Sequence, residues 1–263
     1  FYGYHWDIVD PIIPSSINWN TDSIPKMDSS MLGLSTVPGD PMAKPDPLLG
    51  SNNWAVAPNK TANGNPILAN DPHLRMTLPA IWYEIHLNAP GINTYGVSLP
   101  GTPCVIIGFN DDIAWGVTNS SRDVKDWYKI NFEDSERQRY MFEGEWADTE
   151  FRLEEIKIKG MDSYTDTVAY TYWGPVVSHP NLDFSGPKDH ALRWTAHDPS
   201  NELMTFLKLN KASNHETYID AISHFECPGK NFVFASKDGD IAIKQQGKFP
   251  ILRPGQGRQL QIG

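Results

Sequence analysis

Cysteine is scarce, with Cys104 and Cys227 the only two among 263 residues. There is no CxxC pair and no Cys/His cluster, so a zinc site is not expected. Spacing leaves open whether the two cysteines pair, and two cysteines do not diagnose a redox compartment. No apolar run reaches the roughly 18 residues of a membrane-crossing helix, and no signal-peptide pattern occurs. Phosphate loops and dinucleotide fingerprints are missing. Gly96-Val97-Ser98-Leu99-Pro100 lacks the closing glycine of a nucleophile elbow. Basic charge is also short. Against 32 Asp and Glu stand 22 Lys and Arg, for a net charge of −10. That balance argues against a nucleic-acid partner and against an anionic membrane surface.

What is present reads as a globular, β-rich chain. Hydrophobic residues make up 40% and aromatics 11%, with nine Trp and ten Tyr, a composition far from that of disordered chains. A chain of this length buries roughly 70–75% of its surface, enough for a large core. Residues 1–50 hold seven prolines and six serines with little periodicity. Lys44-Pro45-Asp46-Pro47 forbids helix there, since each proline drives its predecessor into extended geometry. The stretch reads as an exposed linker.

Strand patterns begin at once after it. Alternation and Gly, Pro, Asn and Asp punctuation predict strands over Trp54–Pro58, Ile67–Ala69, Trp82–Asn88, Thr94–Leu99, Cys104–Phe109, Ile113–Thr118 and Trp127–Phe132. A charged stretch around 133–175 reads as an excursion from the main sheet, with strands over Phe151–Ile158 and Thr167–Trp173. Helical spacing follows over Asn201–Leu209 and Asn214–Phe225, the second opened by a capping box of Ser213 and Glu216. Strands Asn231–Ser236 and Ile241–Gln246 flank a Lys237-Asp238-Gly239 hairpin turn. Runs of strands with helices grouped apart predict an α+β fold.

The join between linker and strands carries the chemistry. At Gly50-Ser51, a cut would give Ser51 a free α-amine beside its own hydroxyl. A serine hydroxyl is a weak nucleophile until a base takes its proton. An α-amine titrates at roughly 7.7–8.0, so it can serve near neutral pH. A Gly-Ser pair alone is ordinary loop punctuation. The residues around it make it more than that.

Ser51-Asn52-Asn53-Trp54-Ala55-Val56-Ala57-Pro58, Lys60-Thr61-Ala62-Asn63-Gly64 and Ile67-Leu68-Ala69-Asn70-Asp71-Pro72-His73-Leu74 closely resemble the start of the β chain of the penicillin acylases. The likeness continues through Ala114-Trp115-Gly116-Val117-Thr118-Asn119, Lys230-Asn231-Phe232 and Arg253-Pro254-Gly255. These enzymes are N-terminal-nucleophile hydrolases, made as one precursor that cuts itself before a serine. The resemblance implies a four-layer αββα sandwich, antiparallel sheets between helical layers, and autocatalytic cleavage at Gly50-Ser51. It implies that residues 1–50 are the end of an α part and its linker. Residues 51–263 are then the N-terminal portion of the catalytic β chain, so the remainder of both chains is an expected partner.

Residue roles follow from the same resemblance. Ser51 supplies nucleophile and base. The backbone N–H of Asn119 and the side-chain amide of Asn231 are the oxyanion donors. His73 falls where relatives carry glutamine or histidine near the α-amine, and Arg253 matches an arginine that orients the oxyanion asparagine. Leu74, Ile107 and Val117 fall on acyl-pocket positions and would make that pocket aliphatic. Asp123 and Asp126, with the Lys125 carbonyl, match ligands of a structural Ca²⁺; no organic cofactor is implied. The expected substrate is a small N-acyl amide, with an acyl-homoserine lactone the alternative suggested by His73 and the aliphatic pocket. A catalytically silent precursor that only binds acyl groups is the alternative of another class. Family resemblance also implies a periplasmic or secreted bacterial protein.

Overall fold

A computed structural model describes residues 50–74, 77–177, 189–252 and 261–263. The linker at 1–49 and Arg253 lie outside the described residues. The chain folds as two compact units. Described residues up to Lys125, and again from Trp194, form one; those from Asp126 to Arg193, joined by Gln261–Gly263, form the other. The second unit is wider than the charged stretch that marks it in the sequence.

In chain order, β1 (Asn52–Val56) and β2 (Ile67–Asp71) make a two-stranded antiparallel ribbon. Then come β3 (Tyr83–Ala89), β4 (Ile92–Ser98), β5 (Ile107–Phe109) and β6 (Ile113–Asn119). The second unit supplies β7 (Lys125–Lys129), β8 (Arg139–Phe142), β9 (Glu145–Asp148), β10 (Glu150–Ile156), β11 (Tyr164–Thr171), β12 (Gly174–Pro175) and β13 (His190–Trp194). The chain returns through helices α1 (Glu202–Leu209) and α2 (His215–Ile222), then β14 (Lys230–Ser236) and β15 (Ile241–Gln246), and β16 (Gln261–Ile262) closes it.

The first unit is built on a six-stranded sheet ordered β15-β14-β6-β5-β4-β3, every neighbouring pair antiparallel. Strand periodicity fixes which face is buried. Ile113, Trp115 and Val117 of β6 and Phe232 and Phe234 of β14 share one face. There they pack with Phe206 and Leu209 of α1 and Tyr218, Ala221 and Ile222 of α2. Each such large apolar side chain contributes about 1.5–3 kcal/mol when fully buried. Two polar side chains tie this core to the backbone around it. The Tyr218 hydroxyl donates to the Phe232 carbonyl at 3.0 Å. Asn210, at the end of α1, accepts the Val105 N–H at 2.9 Å and donates to the Val105 carbonyl at 2.8 Å.

That last pair corrects one expectation. The strand predicted over 104–109 is regular only from Ile107, because both backbone groups of Val105 are taken by an asparagine side chain. The helix start is corrected too. Asn214, not Ser213, caps α2, and its partner is Thr217 in place of Glu216. Both cysteines are buried and free.

The second unit has its own small core of Tyr128, Ile130, Tyr140, Ala169, Val176 and Ala191. Tyr128 stacks on Trp173 with centroids 4.0 Å apart. β10 and β11 form an antiparallel ribbon whose β10 strand is exposed throughout. No helix among the described residues is long and apolar enough to cross a membrane.

Candidate active site

The Gly50-Ser51 junction leads directly into β1, and two asparagine side chains fix β1 on the first unit's sheet. Asn53 donates from Nδ2 to the Asn231 carbonyl at 3.1 Å. Asn70, across the ribbon on β2, accepts the Val117 N–H at 2.7 Å through Oδ1. Its Nδ2 donates to the Asn52 carbonyl at 3.0 Å. Gly116 makes room for this contact, since a Cβ there would stand 2.5 Å from Asn70 Oδ1 and 2.8 Å from its Cβ. Gly116 points away from its neighbours Trp115 and Val117, so the ribbon lies on the face opposite the helices. Asn53 and Asn70 carry no role in the sequence reading. A glycine inside a strong strand pattern, a sign of close backbone approach, is the one signal that could have found Asn70.

At the junction itself, the Ser51 hydroxyl donates to the Gly50 carbonyl oxygen at 2.6 Å. The nucleophile therefore sits against the carbonyl of the bond it would cut. Gly50 N–H donates to the His73 carbonyl at 3.0 Å, so residue 73 touches the junction through its backbone. The His73 ring, about half exposed, faces Asp71 instead, with Nδ1 3.3 Å from Oδ2.

Register brings the two oxyanion candidates together. In the β6–β14 pairing, Asn231 stands opposite Thr118, and Lys230 opposite Asn119. Asn231 Nδ2 donates to Thr118 Oγ1 and to the Asn119 carbonyl, both at 3.2 Å. On its other side, Asn231 Oδ1 accepts from Gln245 Nε2 at 3.4 Å. Lys230 Nζ donates to Asn119 Oδ1, and desolvation holds its ammonium below the usual lysine range. Ser51, Asn53, Asn119 and Asn231 thus belong to one corner of the sheet, where β1 crosses the ends of β6 and β14.

The other sequence candidates are placed as follows. Val117 is buried in the helix-side core, Ile107 packs against that core, and Leu74 is exposed just past β2. Asp123 accepts the Lys125 N–H at 3.4 Å, and desolvation raises its carboxyl above the ordinary value. Asp126 begins the second unit. Among the described residues, no group of three or more His, Cys, Asp or Glu side chains gathers as a metal site.

Comparison with known proteins bears on the family and the fold. The family model described as penicillin amidase matches residues 7–263. An acyl-homoserine lactone acylase, QuiP of Pseudomonas aeruginosa, is 30% identical over 217 residues, 79% of this chain and 26% of that protein. The penicillin acylase 2 proenzyme of a Pseudomonas species is 30% identical over 219 residues, 81% of this chain and 27% of that protein. The chain therefore spans about a quarter of the length of these curated relatives. Among solved structures, a thermostable penicillin G acylase from Alcaligenes faecalis superposes with a TM-score of 0.65 at 27% identity. That match covers 74% of this chain and 35% of the other. The fold is the α+β fold of the N-terminal-nucleophile hydrolases. With a family match over nearly the whole chain, and β1 carrying its serine onto a sheet corner that presents Asn119 and Asn231, the chain belongs to the penicillin amidase family.

Proposed function

We propose that this chain carries the nucleophile-bearing part of an amide hydrolase that cuts itself at Gly50-Ser51 and then cleaves a linear N-acyl amide. The observation that supports it most directly is the Ser51 hydroxyl lying 2.6 Å from the Gly50 carbonyl oxygen. In self-cleavage, Oγ attacks the Gly50 carbonyl carbon, an O–C bond forms, and the C–N bond to Ser51 breaks as its nitrogen takes up a proton. Water then hydrolyses the ester, leaving a Gly50 carboxylate and a free Ser51 α-amine. In turnover that amine accepts the Oγ proton through a water while Oγ attacks the substrate carbonyl. The Asn119 N–H and Asn231 Nδ2 are the donors to the oxyanion, a role worth on the order of 10²–10³ in rate per donor. The amine product leaves with the proton, and water releases the acid from Ser51.

The aliphatic acyl pocket is proposed on Leu74, exposed just past β2, since Ile107 and Val117 pack toward the helix-side core. An acyl-homoserine lactone is the second reading, supported by relatives named for that activity. His73 is proposed to act on the junction through its carbonyl, and Arg253 to hold Asn231 from outside the described residues. Asp123, Asp126 and the Lys125 carbonyl offer Ca²⁺ the hard oxygen donors it takes. Since the ion takes six to eight ligands, others must come from elsewhere, and no step passes through it. A periplasmic or secreted location accompanies the reading.

The test uses the full-length protein. Intact mass and N-terminal sequencing should find a chain beginning Ser51-Asn52-Asn53, and Ser51→Ala should stay uncut. Phenylacetyl amides, aliphatic N-acyl 4-nitroanilides and long-chain homoserine lactones should then be assayed side by side. An uncut wild-type chain, or cleavage that survives Ser51→Ala, overturns the proposal.

A further inference from the structure

We infer that Gln245 and Arg122 are positioning residues that lock the amide of Asn231 with Nδ2 turned toward Thr118 and Asn119, the orientation from which one N–H can exchange its present acceptor for the oxyanion of a reacting carbonyl. The inference rests on the reading of Asn231 as an oxyanion donor. The physical problem is that a primary amide is nearly symmetric in shape, while its two ends have opposite polarity. Rotated by half a turn, Asn231 would offer an oxygen lone pair to a developing oxyanion. A donor would become a repulsive group, with no change in packing. Something has to choose the orientation.

Four hydrogen bonds make that choice in sequence. Arg122 Nε donates to Gln245 Oε1 at 2.7 Å. A guanidinium has donors and no acceptor, so only the oxygen end of Gln245 can face it. That turns Gln245 Nε2 toward Asn231, where it donates to Oδ1 at 3.4 Å. The Asn231 oxygen is then committed on the Gln245 side, and Nδ2 faces Thr118 Oγ1 and the Asn119 carbonyl at 3.2 Å. Reversal of either amide would set donor against donor at Arg122, or oxygen against oxygen at Asn231 or Asn119.

Strand register supplies the geometry. Asn231 and Gln245 are direct partners in the β14–β15 pairing, so their side chains leave the same face of the sheet. The face is that of Thr118, opposite the helix-side core. Arg122 lies three residues past the end of β6 and is steadied by stacking over Phe249, its guanidinium carbon 5.8 Å from the ring centroid. Phe249 is in turn seated against Gly229, where a Cβ would stand 2.5 Å from its ring. The lock is thus built from the two strands that flank Asn231 and the turns at their ends.

The experiment measures kcat and KM of the processed full-length enzyme with whichever N-acyl 4-nitroanilide it turns over fastest. Gln245→Glu keeps the shape and removes the donor, setting a carboxylate against Asn231 Oδ1. It should lower kcat at least tenfold with KM within about threefold, because the oxyanion exists only in the transition state. Arg122→Ala, at an exposed position, should lower kcat less, about threefold or more, with Arg122→Lys recovering part of the loss. In an Asn231→Ala background neither substitution should lower kcat further, which is the non-additivity expected of groups acting through one another. If Asn231→Ala leaves kcat within twofold of wild type, the oxyanion reading itself falls. If Asn231→Ala lowers kcat a hundredfold while Gln245→Glu and Arg122→Ala leave it unchanged, the lock is overturned. Losses that persist undiminished in the Asn231→Ala background overturn it too.

Discussion

Asn231 shows how much one side chain is asked to do. Its backbone carbonyl holds Asn53 of β1, and its amide reaches Thr118 and Asn119. Removing the side chain leaves the strand pairing intact and takes away a donor. Asn231→Ala should therefore cost on the order of 10²–10³ in kcat, with a small change in KM. Steady-state kinetics on the processed enzyme checks this, and an equal loss in KM would mean that the residue binds substrate and no more. Cys104 is a residue of the opposite kind, placed for packing. Burial pushes its thiol from the ordinary 9.0 up to about 11, and the thiolate is the reactive form. It should resist iodoacetamide at pH 8 in the folded protein and react on unfolding in urea. The sign for stability follows. The unfolded chain ionises near the ordinary thiol value while the folded one holds its proton. This contribution is full below pH 9 and is lost as pH rises toward 11. Fast labelling of Cys104 in the native state would contradict its place in the core.

At the scale of elements, the site depends on a two-stranded ribbon staying on the sheet. A pair of strands is marginal by itself, so the side-chain bonds of Asn53 and Asn70 matter more than their number suggests. Gly116→Ala should press a methyl group into Asn70, whose Oδ1 and Cβ both lie in its way. Loss of the Asn70–Val117 bond leaves a part-buried N–H unpaired, at a cost of about 1–3 kcal/mol. Urea unfolding should show that loss, and self-cleavage should slow with it; unchanged stability and cleavage would mean that the ribbon is held by other contacts. The cap of α2 admits a cleaner measurement. Asn214→Ala removes the side-chain oxygen that accepts the Thr217 N–H, leaves the backbone N–H of residue 214 on Thr217 Oγ1, and should cost about 1 kcal/mol, readable by the same unfolding experiment.

These elements also mark what sequence could tell and where it stopped. β3, β4, β6, β14 and β15 were legible because period-2 alternation and turn residues are local signals. The irregular start of the 104–109 segment was not, since the Asn210 that takes its backbone bonds lies 105 residues away. β8 and β9 hide inside a charged stretch, each only four residues long and without the period-2 alternation that marks a strand. The site divides in the same way. Ser51, Asn119 and Asn231 stood out through the resemblance of their segments to a family. Asn53, Gln245 and Arg122 act across 178, 14 and 123 residues of chain, and nothing in their local pattern distinguishes them from turn or strand-face residues.

For the whole molecule, the proposed function turns on a change from one chain to two. In the uncut chain the Ser51 nitrogen is a peptide nitrogen with no basicity, and its hydroxyl is occupied with the Gly50 carbonyl. Cleavage creates an amine that titrates at roughly 7.7–8.0 in water. It sits just before β1, whose Asn53 bonds the Asn231 carbonyl at the sheet corner. The base works only when unprotonated. kcat/KM should therefore rise tenfold per pH unit along an acid limb and level off above the amine's pKa, roughly 7.7–8.0 for an α-amine. Cyanate at mild pH, which carbamoylates an α-amine ahead of lysines, should abolish turnover in step with modification of Ser51, and mass spectrometry of the N-terminal peptide follows that step. Activity flat from pH 5 to 9 with a slow substrate, or full activity after carbamoylation of Ser51, would assign the base to another group. The exposed His73–Asp71 pair would then be the next group to test. Turnover lost in step with carbamoylation of Ser51 leaves the proton with the residue that makes the attack.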